Sequence, residues 1–184
     1  TPKPSSAASD VYKRQGDGAG ILMQIPHKFF REQCEALGID LPPAGNYAVG
    51  MVFLPRSVEL AEACSKILEK AITDYGLRVL GWREVPTDNS CLGDLAKSAE
   101  PVVKQIFVDG SPLRDEDLER KLYMARKRAE RIVLEKFGQE AEDFYIPSLS
   151  SRTIVYKGMF MAPQLFSYYP DLADESIASA LCIV

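Results

Sequence analysis

The stretch Gly16–Pro26 reads Gly-Asp-Gly-Ala-Gly-Ile-Leu-Met-Gln-Ile-Pro, and the rest of the chain is best understood from it. Three glycines at alternate positions lead into a short apolar run that Pro26 ends. Because glycine tolerates positive φ and lets another backbone or a ligand come close, the pattern predicts a tight turn followed by a buried strand. The spacing is not that of a dinucleotide-binding loop. The pattern therefore favours a structural turn over direct contact with a ligand.

The composition is that of an ordinary globular domain. The chain has 184 residues, of which 46% are apolar and 26% charged, and its net charge is −4. This length suits one domain with a sizeable core. The negative charge gives no reason to expect nucleic acid or an anionic membrane as a partner. The longest apolar run, Tyr47–Leu54, is too short to cross a bilayer, and we expect a cytoplasmic protein.

The four cysteines and the single histidine do not form a metal-binding pattern. Cys34, Cys64, Cys91 and Cys182 are scattered along the chain, without a C-x-x-C pair, and His27 stands alone. Zinc and iron–sulfur sites need clustered ligands, so we expect no metal site and reduced thiols. Cys34 and Cys64 fall on the apolar faces of predicted helices, which favours core positions over reactive ones.

Strand and helix signals follow one another regularly through the middle of the chain. The predicted strands are Ile21–Ile25, Tyr47–Leu54, Leu77–Val85, Val102–Asp109, Phe144–Leu149 and Thr153–Lys157. The predicted helices are Pro26–Leu37, Ser57–Tyr75 and Ser111–Phe137, with a helical turn near Leu92–Lys97 and a turn or short helix at Pro163–Tyr169. Between Tyr47 and Leu149 the order is strand–helix–strand–strand–helix–strand, which is the ferredoxin-like, split βαβ order. The pattern predicts an α+β fold.

Both ends of the chain differ from this regular pattern. Thr1–Gln15 is rich in Pro, Ser and Ala and should be disordered. Its last ten residues, Ser-Ala-Ala-Ser-Asp-Val-Tyr-Lys-Arg-Gln, resemble translated sequencing-adapter read-through. We therefore treat residues 1–15 as a probable non-native leader and residues 16–184 as a partial domain. Ser176–Val184 ends within an apolar, strand-like run, and we expect the chain to be a fragment.

Two polar segments could carry chemistry. The helix Ser111–Phe137 holds a basic cluster, but it carries nearly as many acidic residues, so a solvated face is favoured over a nucleic-acid site. The segment Ser148–Arg152 offers hydroxyls and one arginine between two strands, where a loop could bind an anion or a carboxylate. Plain turn chemistry is the favoured alternative there. His27 lies too far away in the sequence to be recognised as a base for a serine nucleophile.

The segment Trp82–Asp88 is interpreted as structural. Arg83 could pair with Glu84 or Asp88, and Trp82 would pack in the core. A pair of carboxylates working as acid and base would need a defined cleft, which this segment does not reveal. These residues alone show no catalytic constellation.

Several strings together nevertheless resemble one family, the large subunit of glutamate synthase. They are Gly16–Pro26, Leu80-Gly81-Trp82-Arg83-Glu84-Val85-Pro86-Thr87-Asp88, Leu92-Gly93, Glu100-Pro101 and the whole of Phe144–Met159. The resemblance implies a class II glutamine amidotransferase domain, an N-terminal-nucleophile αββα sandwich that is incomplete here. We expect Tyr47–Gly138 to contain a βαββα (ferredoxin-like) excursion packed against it. Gly16–Pro26 and Phe144–Lys157 would belong to the central sheets.

The resemblance also implies a mechanism for the complete enzyme. An N-terminal cysteine attacks the glutamine amide with its own α-amino group as base, and a γ-glutamyl thioester forms. Backbone and amide donors form the oxyanion hole. The released ammonia reaches an FMN site where 2-oxoglutarate becomes glutamate. FMN and an iron–sulfur cluster are implied for the full-length enzyme, and none for this fragment. The implied partners are glutamine, the remaining domains and a small electron-transfer subunit.

This sequence departs from the family where catalysis is concerned. The family's opening Cys-Gly and His-Arg-Gly-Ala elements should precede Gly16, and its His-Ser-Arg-Phe element should follow Val184. We therefore expect no catalytic residue within this chain, assign no substrate-binding residue, and predict that the fragment alone is inactive. Two alternatives stay open: a non-catalytic α/β module that binds or senses a small metabolite, and a fragment of a stand-alone amidotransferase subunit. The electron donor (NADPH, NADH or ferredoxin) is set by other domains or subunits.

Overall fold

The computed structural model describes residues 18–113, 115–179 and 182–183. Its strands are β1 (Ala19–Gln24), β2 (Tyr47–Leu54), β3 (Arg78–Glu84), β4 (Val102–Asp109), β5 (Tyr145–Ser150), β6 (Thr153–Gly158) and β7 (Cys182–Ile183). Its helices are α1 (His27–Ala36), α2 (Val58–Asp74), α3 (Asp94–Ser98), α4 (Asp115–Phe137) and α5 (Leu165–Tyr168). The strands and helices predicted from the sequence are confirmed. The predicted leader, residues 1–15, lies outside the described residues.

Four strands form an antiparallel sheet in the order β3-β4-β2-β5. This is the spatial order of a ferredoxin-like unit, as the pattern between Tyr47 and Leu149 predicted. The amphipathic helices α2 and α4 cover one face, with Leu68, Ile72, Leu118 and Leu122 fully buried against the sheet. The side chain of Ser57 caps α2 by accepting a hydrogen bond from the Leu60 backbone N–H at 3.3 Å.

A second antiparallel sheet has the order β6-β1-β7. β1 pairs with β6 from Ala19↔Gly158 to Gln24↔Thr153. The expectation that the glycine-rich strand lies beside Thr153–Lys157 is thus confirmed. Phe144–Lys157, however, does not enter one sheet: β5 is in the four-stranded sheet and β6 in the three-stranded one. The tight connection at Ser151-Arg152 carries the chain from one to the other.

A second core joins the two sheets. Along β2, Tyr47, Val49 and Met51 belong to this core, while Ala48 and Val52 belong to the core under the helices. This two-sided burial explains why β2 is apolar along its whole length. The ferredoxin-like unit is therefore not an excursion beside the sheets. It supplies one of the two sheets and the pair of helices that covers it, because a strand buried on both faces needs a layer on each side.

Helix α1 closes one side of the second core. Phe29, Phe30 and Cys34 are fully buried there, and Cys34 was predicted to be a core residue. The helix ends at Ala36, one residue before the predicted end, and the Leu37 side chain is 52% exposed. Among the described residues, no helix is both long and apolar enough to cross a membrane.

Candidate functional site

The glycine-rich strand lines a cavity of about 650 Å³, which we call the glycine-end cavity. Residues 18–22, at the start of β1, form one wall, and residues 157–160, at the end of the pairing strand β6 and just beyond it, form the next. The aromatic pair Tyr168–Tyr169 and the region around α3 complete the lining. The stretch identified first in the sequence therefore lines a large cavity of its sheet, where a ligand-binding role is expected by default.

The glycines of this stretch are required by the close approach of β1 and β6. A Cβ on Gly20 would lie 2.7 Å from the Lys157 Cβ and 2.9 Å from the Tyr156 carbonyl oxygen. Gly18 has φ +98°, in the region that favours glycine, and a Cβ there would lie 2.9 Å from the Gly158 carbonyl oxygen. The structural reason for these glycines is thus established, and the same two residues also face the cavity.

Aromatic side chains make the inner wall of the cavity. The rings of Tyr168 and Tyr169 meet edge to face, with centroids 4.7 Å apart, and both contact Phe160. The Tyr169 hydroxyl donates to the Lys157 carbonyl at 2.8 Å, and the Tyr168 hydroxyl donates to the Glu100 carboxylate at 2.8 Å. Burial, and then the contact with Glu100, raises the pKa of Tyr168 well above its usual value. Both hydroxyls therefore stay protonated and act as donors.

The outer wall is the segment Asp88–Pro101, which contains α3 and which we call the α3 segment. Among the described residues, no side chain of α3 or of the turn Asn89–Cys91 is fully buried. Polar contacts hold the segment in place instead. The Asp88 N–H donates to the Tyr168 carbonyl at 2.9 Å, the Gln164 amide donates to the Cys91 carbonyl, and the Arg56 guanidinium donates to the Glu100 carbonyl at 2.7 Å.

The lining of the glycine-end cavity suits binding rather than nucleophilic attack. Its described residues include no serine, threonine or cysteine, the hydroxyl and thiol nucleophiles, and no histidine to activate one. The charged groups are Glu100, Asp143 and Lys157. The Lys157 ammonium lies 5.0 Å from the centre of the Tyr145 ring, a cation–π distance. Attack by a serine, threonine or cysteine side chain at this cavity would need groups beyond these.

A second cavity, of about 680 Å³, lies at the other end of β1, and we call it the His27 cavity. Its wall contains His27 together with Ser151, Arg152 and Thr153. Their positions in the sequence did not indicate that they lie close together. The His27 Nδ1 and the Tyr47 hydroxyl are 3.1 Å apart, in hydrogen-bond contact. Burial, and then the nearby Arg31, lowers the pKa of His27. The imidazole is therefore neutral at pH 7.

The serines of the Ser148–Arg152 segment serve the turn. The Ser148 Oγ accepts from the Val155 N–H at 3.1 Å. Glu119 on α4 accepts from the Ser151 N–H and from the Ser151 hydroxyl, each at 2.6 Å. The Ser151 hydroxyl thus donates to a carboxylate, and the turn interpretation of these serines is confirmed.

The expected pairing of Arg83 is wrong. Arg83 forms a two-pronged ion pair with Asp171, at 2.7 and 2.8 Å, and the side chains are 6% and 3% exposed. Glu84 pairs instead with Lys104 at 3.2 Å. Asp88 accepts from the Ser90 N–H at 2.9 Å. Asp171 is 88 positions from Arg83, and no local signal in the sequence links them.

The remaining candidates have structural surroundings. Trp82 is half-buried beside α2 and donates to Glu69 at 2.6 Å. The basic cluster of α4 is engaged in ion pairs, among them Arg126–Glu130 at 2.9 Å and Arg131–Glu135 at 2.7 Å. This agrees with a solvated face. Within the described part of the chain, no group of three or more His, Cys, Asp or Glu side chains is placed to hold a metal ion.

Comparison with known proteins identifies the family. The family described as class-II glutamine amidotransferases matches residues 6–184. The glutamate synthase [NADPH] large chains of Azospirillum brasilense and Bacillus subtilis (strain 168) are each 43% identical, over 96% and 92% of this chain. The chloroplastic ferredoxin-dependent glutamate synthase of Oryza sativa subsp. japonica is 41% identical over 91% of it.

The resemblance seen in the sequence is thus confirmed, although this chain is short by comparison. It spans 12%, 11% and 10% of these three relatives. The family match covers nearly all of its residues, including both sheets and both cavities. The chain therefore belongs to the class-II glutamine amidotransferases.

Proposed function

We propose that this chain is part of the glutamine-hydrolysing domain of a glutamate synthase, which makes glutamate from glutamine and 2-oxoglutarate. The observation that supports this most directly is the 43% identity to two glutamate synthase large chains over more than nine tenths of the chain. Glutamine is the substrate that the proposal implies. The remaining domains of a longer polypeptide, and a small electron-transfer subunit, are the proposed partners, in the cytoplasm.

The proposal assigns this chain a scaffolding role. The nucleophilic cysteine, the oxyanion donors and the glutamine-binding groups would come from other parts of the polypeptide. The lining of the glycine-end cavity supports this assignment, because its described residues offer no cysteine, serine or threonine nucleophile and no histidine base. The two facing sheets would be the inner layers of an αββα sandwich, with α2 and α4 as one outer layer.

The redox part of the reaction belongs elsewhere in this proposal. FMN would supply the reducing equivalents when bound, and an iron–sulfur cluster would pass electrons to it. We assign neither group to the described residues, among which no group of three or more His, Cys, Asp or Glu side chains is placed to hold a metal ion. The chain is similar to glutamate synthases whose names give different electron donors: the identities are 43% for an NADPH enzyme, 39% for an NADH enzyme and 41% for a ferredoxin-dependent enzyme. Similarity over this segment therefore does not distinguish between the three electron donors.

A chimera tests the proposal. Residues 18–184 would replace the aligned segment of the Bacillus subtilis glutamate synthase large chain, with glutamine hydrolysis and glutamate formation as readouts. We expect both activities in the chimera and no glutamine hydrolysis above a no-protein blank for the 184-residue chain alone.

The control is the same chimera with Gly20→Val, which should fail because the added side chain meets β6. A folded chimera that hydrolyses no glutamine would contradict the proposed function. Turnover by the 184-residue chain alone would contradict the scaffolding role. If the chimera is inactive while the isolated chain binds an amino acid, the non-catalytic binding module becomes the better interpretation.

A further inference from the structure

We propose that the His27 cavity binds a small organic carboxylate, with the Arg152 guanidinium as its anchor. The cavity lies at the end of β1 opposite the glycine-end cavity, and its volume of about 680 Å³ is ample for a metabolite of a few carbon atoms. This inference does not depend on the proposed function. It concerns a different set of residues from those around the glycine-end cavity.

The first argument is that the backbone of Arg152 is held in place, while its side chain has no partner among the described residues. Glu119 binds the neighbouring Ser151 through its N–H and hydroxyl, and the Ser150 Oγ accepts from the Arg152 and Thr153 N–H groups at 3.0 and 3.2 Å. The turn is thus built by its own hydrogen bonds. Within the described residues, the Arg152 side chain makes no ion pair or hydrogen bond of its own. An exposed guanidinium on a rigid turn is preorganised to bind a carboxylate by two parallel hydrogen bonds.

The second argument is the charge of the lining. The nine residues of the cavity wall include Arg152 and His27 but no aspartate or glutamate. Arg31 lies close enough to His27 to lower the pKa of its imidazole, so its positive charge adds to the same region. Glu119 contacts the lining residue Ser151, and its Oε1 accepts three hydrogen bonds from Ser150 and Ser151. The local field therefore favours an anion.

The third argument concerns the rest of the ligand. The side chains of Ile25 and Ala44 give the wall an apolar part, and the ring of Tyr47 lies behind His27, with centroids 5.6 Å apart. Thr153 and Gln24 add neutral polar groups. A bare inorganic anion would leave the apolar part uncovered. An organic carboxylate would place its charged end at Arg152 and its carbon chain on Ile25 and Ala44, which is why we favour it over phosphate.

The test is a titration of the complete 184-residue chain with succinate, glutarate and inorganic phosphate, at constant ionic strength. The chain contains one histidine, so the His27 Hε1 ring proton gives a single NMR signal that reports on the cavity. We expect the signal to shift saturably with the two dicarboxylates. Arg152→Gln should weaken their affinity by at least about tenfold, the loss expected for a charge-assisted pair.

Arg131→Gln is the matched control, because Arg131 is an exposed arginine on α4, paired with Glu135 and absent from the cavity wall. It removes the same charge and should leave the affinity unchanged within about twofold. Equal weakening in both variants would show a general charge effect and overturn the proposal. So would an unchanged affinity in Arg152→Gln, or no saturable shift with either dicarboxylate. Saturable binding of phosphate alone would overturn the choice of a carboxylate.

Discussion

At the scale of single residues, the feature with the largest energetic consequence is the buried ion pair Arg83–Asp171. Each charged atom has partners: the guanidinium also donates to Gln33 and Gln105, and the Tyr156 hydroxyl donates to Asp171 at 3.1 Å. Removing one charge from such a pair is costly because the other stays buried without compensation. The network fastens the turn Pro170–Ala173 to the core between the sheets.

Asp171→Asn should therefore destabilise the chain by about 3–5 kcal/mol. The measurement is the free energy of unfolding from urea denaturation, followed by circular dichroism. Arg78→Ala is the control, since the Arg78–Asp109 pair has an arginine side chain that is 71% exposed. That change should cost about 1 kcal/mol at most. Equal losses in the two variants would show that burial of the Arg83 pair has no special weight.

Burial also lowers the expected reactivity of two of the cysteines. Burial raises the pKa of the Cys34 thiol to about 12 and that of Cys64 to about 11. At pH 8 both thiols are therefore protonated in the folded chain, and a protonated thiol is a poor nucleophile. Cys91 is partly exposed.

We expect iodoacetamide at pH 8 to modify Cys91 in the folded chain and to leave Cys34 and Cys64 unmodified until urea is added. Peptide mass spectrometry assigns each site. Modification of Cys34 in the absence of denaturant, at a rate like that of Cys91, would contradict the burial described above.

At the scale of elements, the pairing of β1 with β6 depends on a glycine in β1, and side-chain hydroxyl groups bond to the edge of β6 that faces away from β1. Gly20 lets the two strands approach. Three backbone groups of β6 are not bonded to β1 and bond to side chains instead. The N–H groups of Thr153 and Val155 donate to serine hydroxyls, and the Lys157 carbonyl accepts from the Tyr169 hydroxyl. This covers backbone groups that would otherwise invite pairing with another chain.

Gly20→Ala should destabilise the chain by about 1–3 kcal/mol, because the new Cβ would meet β6 backbone and the start of the Lys157 side chain. Gly93→Ala is the control: nothing lies within 4 Å of a Cβ at Gly93, and its φ is −76°. Thermal unfolding of both variants measures the difference. If Gly93→Ala lowers the midpoint as much as Gly20→Ala, the close approach of the strands is not the cause.

At the scale of the whole molecule, the two cores share the strand β2. Its side chains alternate between the core under the helices and the core between the sheets, and all but Phe53 are buried. It is hydrogen-bonded to β4 on one side and β5 on the other. The α3 segment is the opposite case, since polar contacts at the rim of the glycine-end cavity hold it.

Hydrogen exchange should show this difference directly. The amides of β2 and β4 should exchange slowest, through global unfolding, whereas those of Asn89–Ser98 should exchange through local opening. Mass spectrometry of the intact chain, digested after exchange, resolves the two regions. Equal protection of both would contradict the view that the α3 segment is only locally anchored.

How much of this could be read from the sequence depends on the range of each interaction. The order of strands and helices, the ferredoxin-like unit and the burial of Cys34 and Cys64 were all predicted correctly. Each rests on contacts within one or two turns of chain, or on a periodicity that a single element displays. The family was recognised from several strings in order along the chain rather than from any catalytic residue.

Tertiary structure alone decided the features that join distant positions. The pairing of Arg83 with Asp171, the meeting of His27 with Arg152 and the division of β5 and β6 between two sheets have no local pattern in the sequence. The sequence by itself determined which segments become strands and helices, because side-chain spacing fixes which face of each segment is apolar. Only packing decided which faces meet, since many apolar faces are alike until the chain closes them on one another.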